Sequence, residues 1–360
     1  MDKFYQAALL CLPGVGNAKL KALIDFFGSG ETAWLAGKND LTASRILDAE
    51  ACNKFVKGRE KLDIQRLVSS WESSGIHIIT RSCGEYPRQL YNIYDSPQVL
   101  FYKGCLPIHR NLIAIVGARK ASPYGKNVAK MFAADLTNSG CIIVSGGARG
   151  IDSAAHEGAL TAGNTLAVLG NGVNIAYPPE NARLLARIAS QGAIISEYPP
   201  DSPPVPGHFP ARNRIINGLS LGVVIIEAAE RSGALITADY ALEEGRDVFA
   251  VPGSIFSETS KGCHRLLKQG AKLVENASDI LEEYHLQVHT AFTCENLTND
   301  ERAINSLLSY EYPLSLEEVA LKSMLPVTKV TYILLQLELR GLVMQQSGQR
   351  YIRVAGRKSE

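Results

Sequence analysis

The stretch LIAIVGARKASPYGKNVAKMFAADLTNSGCIIVSGGARGID, residues 112–152, decides the fold of this chain. It begins with the apolar run Leu112–Val116 and passes through a glycine turn into a segment with helical spacing of apolar residues, about 126–138. A second apolar run, Cys141–Val144, ends in the glycine-rich turn 145–150. Strand, crossover helix and strand in this order predict two neighbouring parallel strands. Both glycine turns should therefore lie side by side at the carboxyl edge of the sheet, where open α/β sheets bind ligands.

The two glycine turns have the composition of a phosphate-binding site. The first contains Gly117, Arg119 and Lys120, and the second is the segment Ser145-Gly146-Gly147-Ala148-Arg149-Gly150. Glycine allows positive φ and lets a ligand approach the backbone closely. Backbone N–H groups at the start of the following helix attract anions, and the basic side chains add positive charge. The sequence therefore predicts that a phosphate group binds between these turns.

Patterns for a nucleotide cofactor do not occur in the same region. A dinucleotide fingerprint has the pattern G-x-G-x-x-G and an acidic residue about 20 residues further on. Here Ser145 stands at the first glycine position, and the next strand, Thr165–Leu169, is followed by Gly170-Asn171 without an acidic residue. A Walker loop is excluded because Asn127 stands where Ser or Thr should bind magnesium. The G-x-S-x-G match at 218–222 precedes an apolar run, whereas a nucleophile elbow follows its strand. We expect no cofactor and no bound metal ion.

Composition and charge describe an ordinary globular protein of two or three domains. The chain has 360 residues, of which 46% are hydrophobic and 20% charged. Its formal net charge is +1, so any attraction to nucleic acid must come from local patches. Seven scattered cysteines without a C-x-x-C pair predict reduced thiols in the cytoplasm rather than disulfides or zinc ligands. No apolar run reaches transmembrane length, and we expect no signal peptide and no membrane association.

Strands and helices continue to alternate after residue 152. The segments predicted as strands are Thr165–Leu169, Ala193–Ile195, Val223–Ile226, Val248–Val251 and Lys272–Val274, with Ile76–Thr80 and Val99–Tyr102 before the core. Continuous apolar strands separated by helical segments are typical of a parallel sheet with helices on both faces. We therefore predict an α/β, Rossmann-like domain over residues 76–285.

Two smaller units are predicted at the ends of the chain. Residues 1–75 have helical spacing, and the turn Leu12–Gly16 is similar to the SAM or helix-hairpin-helix type, which presents N–H groups to a DNA phosphate. After a polar linker at 286–298, residues 299–360 contain three helical segments and a hairpin, the order of a winged helix. The first unit holds 10 basic and 9 acidic residues, and the second holds 8 and 7. For the first unit, DNA contact and a purely structural turn between helices therefore both remain open. For the second unit, DNA contact and protein contact both remain open.

An aromatic side chain flanked by guanidinium groups follows the strands of the first half of the α/β domain. Phe209 stands close in sequence to Arg212, Asn213 and Arg214. An aromatic ring beside such groups suits a stacked base whose phosphates are clamped by the arginines. The segment therefore predicts a contact with single-stranded nucleic acid.

Charge divides the predicted α/β domain into two parts. Residues 111–220 hold 9 basic and 6 acidic side chains, whereas residues 221–298 hold 6 basic and 12 acidic side chains. The basic part contains both glycine turns and the aromatic cluster. The acidic part should repel nucleic acid, so it is either a solvated face or a protein-binding surface.

Six segments together resemble one protein family. They are GARKASPYG (117–125), SGGARGID (145–152), GNGVNIAYPPEN (170–181), SEYP (196–199), FPARNRIINGLS (209–220) and SGALITADYALEEGRDVFAVPG (232–253). In this order, spread over the whole predicted α/β domain, they resemble the DprA/Smf family of bacterial DNA-processing proteins. The flanking helical and winged-helix units are also similar to that family.

The resemblance implies a binding protein and not an enzyme. It implies that the chain binds incoming single-stranded DNA during natural transformation, protects it, and loads the RecA recombinase while helping to displace single-strand-binding protein. It also implies a cytoplasmic homodimer that pairs through the α/β domain. The residues that it assigns to DNA are Gly117, Arg119, Lys120, Ser145, Gly146, Gly147, Arg149, Gly150, Phe209, Arg212, Asn213 and Arg214.

A second hypothesis belongs to a different class of function. The same glycine-rich crevice could serve an enzyme that cleaves the N-glycosidic bond of a nucleotide, with Glu197 or Glu227 as the catalytic carboxylate. The two hypotheses differ in whether a mononucleotide is turned over or a polymeric strand is held.

Overall fold

A computed structural model describes residues 1–107, 111–286, 297–310, 312–339, 342–346 and 348–353. The strands of the α/β region are β1 His77–Thr80, β2 Val99–Gly104, β3 Leu112–Val116, β4 Ile142–Ser145, β5 Thr165–Val168, β6 Ala193–Ser196, β7 Gly222–Ile225, β8 Asp247–Ala250 and β9 Lys272–Leu273. The C-terminal strands are β10 Leu314–Ser315, β11 Val343–Gln346 and β12 Arg350–Arg353.

The helices fall into three groups along the chain. The N-terminal helices are α1 Asp2–Leu10, α2 Asn17–Phe27, α3 Gly30–Leu35, α4 Lys38–Ala43, α5 Ala49–Glu60 and α6 Ile64–Ser73. Those of the α/β region are α7 Pro123–Asn138, α8 Ile151–Ala159, α9 Ala182–Gln191, α10 His208–Leu219, α11 Gly233–Glu243, α12 Lys261–Lys268 and α13 Ser278–Glu283. The C-terminal helices are α14 Asn299–Leu307, α15 Leu316–Ser323 and α16 Val327–Leu339.

The central sheet has the strand order β1-β2-β6-β5-β4-β3-β7-β8-β9. All pairings from β6 to β9 are parallel, as predicted from the apolar runs. β2 pairs antiparallel with β6, and β1 pairs antiparallel with β2, so the two bridging segments extend one edge of the parallel sheet. After β6 the chain crosses to the other side of β3, and the switch point of the sheet lies between β3 and β7.

Helices cover both faces of the sheet, which confirms the predicted fold class. Ile113 and Ile115 of β3 pack with the buried faces of α7, α8 and α13. The alternate residues of the same strand, Ala114 and Val116, pack with α10, α11 and α12. This alternation follows from the two-residue period of a strand, and it explains why β3 is apolar at every position.

The N-terminal helices share a hydrophobic core with one edge of the sheet. Trp71 of α6 contacts Phe101 of β2, with ring centroids 5.6 Å apart. The predicted hairpin between α1 and α2 faces the α/β region, because Asn17 Nδ2 donates to Asp95 Oδ1 at 2.8 Å and Asn17 Oδ1 accepts from Gln98 N–H at 2.7 Å. The predicted domain boundary at residue 75 therefore lies within a packed region and stays a prediction, as does DNA contact by the hairpin.

The C-terminal unit is a winged helix, as predicted. Three helices, α14 to α16, pack around one apolar cluster, and the strands form a small sheet in the order β10-β12-β11. Sequence analysis did not predict β10. The exposed residues of the third helix are Val327, Thr328, Lys329, Thr331, Tyr332, Leu335 and Leu339. Lys329 is the charged residue of this set, and it pairs with Asp300 at 2.5 Å. The predicted linker 286–298 lies mostly outside the described residues.

Candidate nucleic-acid interface

Four segments meet at the carboxyl edge of the sheet and enclose a small crevice. They are the turns after β3 and β4, the loop between β5 and α9, and the start of α10. Arg119, Arg149, Tyr177 and Phe209 line this crevice, and the buried Arg212 also contributes to it. The structure thus brings together the two glycine turns and the aromatic segment that sequence analysis treated separately.

Arg119 and Phe209 form the accessible part of the crevice. The Cζ atom of Arg119 lies 5.8 Å from the ring centroid of Phe209, within the range of a cation–π contact. The ring of Tyr177 lies on the same phenyl group, with centroids 5.3 Å apart and an interplanar angle of 32°. Arg119 and Lys120 are exposed and have no ion pair within the part of the chain that the structure describes. Two uncompensated cations beside an aromatic ring can hold a phosphate and stack a base.

Arg149 is also exposed, but it forms an ion pair with Glu180. Its Nε donates to Oε1 of Glu180, and this hydrogen bond raises the pKa of the Arg149 guanidinium and lowers the pKa of Glu180. The neighbouring Asn181 donates to the carbonyl of Gly147 at 2.9 Å, which attaches the 177–181 loop to the second glycine turn. Since the side chains of the pair are 61% and 48% exposed, their ion pair adds little stability and a phosphate can compete for the guanidinium.

Arg212 does not point into solvent as a phosphate clamp. Its residue exposure is only 4%, and its Nη1 donates to the carbonyl oxygens of Gly146 and Val168, the former at 2.6 Å. A Cβ at position 146 would overlap the guanidinium, so this turn needs glycine to admit Arg212. Burial lowers the pKa of Arg212 to about 10, and the nearby Asp152 opposes that shift. The predicted role of Arg212 is corrected to that of a buried scaffold beneath the crevice.

Arg214 is buried on another side of α10. Its Nη2 donates to Glu197 Oε2 at 2.5 Å and lies 3.4 Å from Asp95 Oδ2. Two carboxylates therefore neutralise the guanidinium that was predicted to clamp a phosphate. Between the two arginines, Asn213 is half-buried, with its Oδ1 accepting from Arg212 Nε at 3.1 Å. Arg119, which is exposed, is better placed than Arg214 to contact a phosphate.

The buried Glu227 holds the first glycine turn in place through hydrogen bonds. Its carboxylate accepts hydrogen bonds from the backbone N–H of Ser122 at 2.9 Å and from the Ser122 hydroxyl at 2.5 Å, at the N-terminus of α7. Its backbone carbonyl accepts from the Ala118 N–H at 2.7 Å, next to Gly117. A Cβ at Gly125 would overlap the carboxylate. The start of α7 therefore already holds a negative charge, which disfavours a phosphate at this point, and phosphate binding by the helix N-terminus stays a prediction.

Asp152 likewise accepts hydrogen bonds from backbone N–H groups of the second glycine turn. Its Oδ2 accepts from the Ala148 N–H at 3.3 Å and lies 3.9 Å from Nη2 of Arg212, and the Gly146 N–H also bonds to this carboxyl group. Burial raises the pKa of Asp152, while Arg212 and these N–H groups oppose the rise. The backbone N–H groups of Ala118, Ser122, Gly146 and Ala148 are thus satisfied internally. The exposed side chains of Arg119 and Lys120 remain available to a phosphate.

Ser145 and Gly150 serve the packing of the turns against each other. Ser145 is fully buried, and its hydroxyl donates to the carbonyl of Ile115 at 2.6 Å. Gly150 has φ of +80°, and a Cβ there would overlap the carbonyl of Ala118 in the first turn. These two predicted site residues therefore position the turns and offer no side-chain donor to a ligand.

Comparison with known proteins identifies the family. Residues 77–285 match the family of DNA recombination-mediator protein A, and residues 290–349 match the DprA winged helix domain. The chain belongs to the DprA/Smf family. The DNA processing protein DprA of Streptococcus pneumoniae is 40% identical over 78% of this chain and 98% of its own length. The protein Smf of Escherichia coli is 41% identical over 79% of each chain.

Solved structures of the DprA/Smf family have the same fold. The X-ray structure of the Streptococcus pneumoniae protein is 37% identical and covers 79% of this chain and 99% of its own, with a TM-score of 0.69. A DNA processing protein A from Helicobacter pylori, described for its single-stranded DNA binding mode, is 30% identical over 58% of this chain and 95% of its own, with a TM-score of 0.53.

Sequence analysis missed Tyr177, which lines the crevice, and two acidic residues that hold its arginines, Glu180 and Asp152. Tyr177 and Glu180 lie in the quoted segment GNGVNIAYPPEN, where an aromatic residue and an acid flank two prolines, and that local pattern could have indicated them. Asp152 follows the second glycine turn directly, and an acid in the first turn of a helix was available as a signal. Within the described residues there is no helix able to span a membrane and no cluster of possible metal ligands.

Proposed function

We propose that this DprA/Smf protein binds single-stranded DNA in the crevice. The observation that carries the proposal is the contact between the exposed Arg119 and the half-buried Phe209, with the guanidinium Cζ 5.8 Å from the centroid of the ring. Arg119, Lys120 and Arg149 contact phosphates, and the ring of Phe209, supported by Tyr177, stacks on a base. Such contacts tolerate any sequence because every base has a π-face and every nucleotide a phosphate.

A polymeric strand is favoured over a mononucleotide by the electrostatics of the two turns. Glu227 and Asp152 accept hydrogen bonds from the N–H groups of Ser122 and Ala148, two of the backbone donors that could otherwise hold the terminal phosphate of a bound nucleotide. The remaining cations are exposed side chains at the surface of the crevice, where a chain of phosphates can pass. This arrangement supports binding along a strand.

Binding without catalysis is supported by the state of the two candidate carboxylates. Both carboxylate oxygens of Glu227 accept hydrogen bonds from Ser122, the N-cap residue of α7. Glu197 is buried and paired with Arg214; burial raises its pKa, and Arg214 opposes that shift. Neither carboxylate lines the crevice. We therefore propose that nucleotides are not hydrolysed there.

The proposal extends to the protein's partners. We infer that the DNA-bound protein loads the RecA recombinase, helps to displace single-strand-binding protein and acts as a cytoplasmic homodimer during natural transformation. The acidic second part of the α/β domain exposes Leu242, Phe256 and Leu273, the last of them on the terminal strand β9. Exposed apolar side chains on an acidic surface suit protein contacts better than DNA.

The test is a titration of the purified protein with single-stranded DNA and with a duplex of the same sequence. We expect the single strand to bind more tightly and with weak dependence on sequence. Parallel incubations with nucleoside monophosphates, NAD and ATP should leave all three intact. Release of free base that disappears in Glu197→Gln or Glu227→Gln would support the hydrolase instead.

A further inference from the structure

A second, larger cavity continues from the crevice. It has a volume of about 710 Å³ and lies between α7, the start of α8 and strand β11 of the winged helix. Arg149 lines both this cavity and the crevice, so the two are adjacent at that side chain. We call this cavity the wing groove.

The floor of the wing groove carries two lysines of α7. Lys126 and Lys130 are four residues apart and therefore lie on the same face of the helix. Lys126 is exposed and has no ion pair among the residues that the structure describes. The half-buried Lys130 pairs with Glu157 of α8 at 2.7 Å. With Arg149 the groove offers three cations against the carboxylates of Glu157 and Glu180, a net charge of +1.

The opposite wall of the wing groove is formed by the wing, the hairpin of β11 and β12, and not by α16, the third helix of the winged helix. Met344 and Gln346 of β11 line the groove, and the buried Asn127 of α7 donates to the carbonyl of Arg353 in β12 at 3.2 Å. A thioether and an amide can contact bases without choosing among them. The wing therefore completes a channel that is basic on one side and uncharged on the other.

We propose that the wing groove binds the segment of single-stranded DNA that leaves the crevice past Arg149. This inference rests on the proposed function and deepens it, because it specifies the path of the DNA strand beyond the crevice and assigns a DNA contact to the winged helix. Without DNA, Glu157 pairs with Lys130 and Glu180 pairs with Arg149. When DNA binds, its phosphates take the place of these carboxylates and also contact Lys126. The bases then face Met344 and Gln346.

Strand length separates the groove from the crevice in an experiment. An oligothymidine of about six nucleotides fills one site, whereas one of about 20 nucleotides reaches beyond it. We expect the double substitution Lys126→Ala, Lys130→Ala to leave affinity for the short strand within twofold. The long strand should bind roughly tenfold more weakly, with a slope of log K against log salt shallower by about 1.4, or 0.7 for each lost phosphate contact.

Two further variants complete the test. The matched control Lys54→Ala, Lys57→Ala removes two charges from α5, far along the chain from both sites, and should change neither affinity. Glu157→Gln frees Lys130 from its partner and should strengthen binding of the long strand only. Circular dichroism and thermal unfolding verify that each variant is folded.

The outcomes distinguish the groove from the crevice. If the double α7 variant binds both strands like the parent, the wing groove is not a DNA site, although the crevice stands. If it loses the short and the long strand equally, the lysines belong to the crevice and the inference is overturned. Failure of the parent protein to bind the short strand at all would count against the proposed function itself.

Discussion

The guanidinium of Arg119 lies over the ring of Phe209, 5.8 Å from its centroid, and neither residue belongs to the buried core of the sheet. The two come from the turn after β3 and from the start of α10, about 90 residues apart. Their contact places an ionic group, the guanidinium of Arg119, directly beside a stacking surface, the ring of Phe209. These two contributions to DNA binding respond differently to salt, so they can be measured separately.

Replacing Arg119 by Ala should weaken binding of single-stranded DNA for all sequences alike. The guanidinium has no carboxylate partner within the described residues, so its charge is available to a phosphate. Loss of one phosphate contact makes the slope of log K against log salt shallower by about 0.7. A titration series at several salt concentrations measures this slope. An affinity and slope equal to those of the parent would remove Arg119 from the site.

Replacing Phe209 by Leu should lower the affinity and leave the salt slope unchanged. Stacking of a base on an aromatic ring contributes about 1–3 kcal/mol and involves no counterion. Leu keeps an apolar side chain against Gly170 and Tyr177, which limits the effect on folding. The measurement is the same titration series, combined with thermal unfolding. A fall in melting temperature with unchanged affinity would mean that Phe209 only packs.

Arg212 should affect stability much more than Arg119 does. Arg212→Ala removes the cation beside the buried Asp152, and breaking a buried pair in this way costs about 3–5 kcal/mol of the free energy of unfolding. The exposed Arg119→Ala is the matched control, with an expected change within about 0.5 kcal/mol. Urea unfolding gives both values. A stable Arg212→Ala protein with the DNA-binding defect of Arg119→Ala would restore Arg212 as a phosphate clamp.

Much of the fold could be predicted because the α/β pattern is local. Each buried parallel strand is a continuous apolar run, and the runs are separated by helical spacing and glycine turns, so segments such as Leu112–Val116 are recognised without knowledge of their neighbours. The carboxyl-edge rule then indicated where the glycine turns would meet. The antiparallel addition of β1 and β2 was not predicted, because nothing local in a short apolar run specifies its partner.

The roles of individual site residues depended on contacts between distant parts of the chain. Arg212 and Arg214 lie two positions apart on one helix and so point to different sides, yet separate loops bury each of them. Glu227 reaches Ser122 over 105 residues of sequence. A composition rich in glycine and arginine therefore indicated where the two turns meet. It could not tell which cations remain exposed, or that internal carboxylates accept from some of the backbone donors.

A buried histidine should make the stability of the protein depend on pH. His156 of α8 is fully buried, and its Nδ1 lies 2.8 Å from the hydroxyl of Thr165, which itself donates to the carbonyl of Ile143 at 2.8 Å. Nδ1 must therefore be the donor to Thr165, and Nε2 carries no proton and has no partner among the described residues. Burial, together with a smaller effect of the charge of Arg212, lowers the pKa of His156 to about 3.

The sign of the effect follows from the lowered pKa. An unfolded histidine has a pKa of about 6.5 and binds a proton below it, whereas the folded protein does not bind one until about pH 3. The free energy of unfolding should therefore fall as the pH drops below 6.5, by about 1.3 kcal/mol between pH 7 and pH 5.5 from this group alone. In His156→Gln, which keeps a donor for Thr165, this contribution disappears, while those of Asp152 and the other groups remain. Urea unfolding of both proteins at the two pH values measures the difference, and an equal loss of stability in the two would show that His156 is not the titrating group.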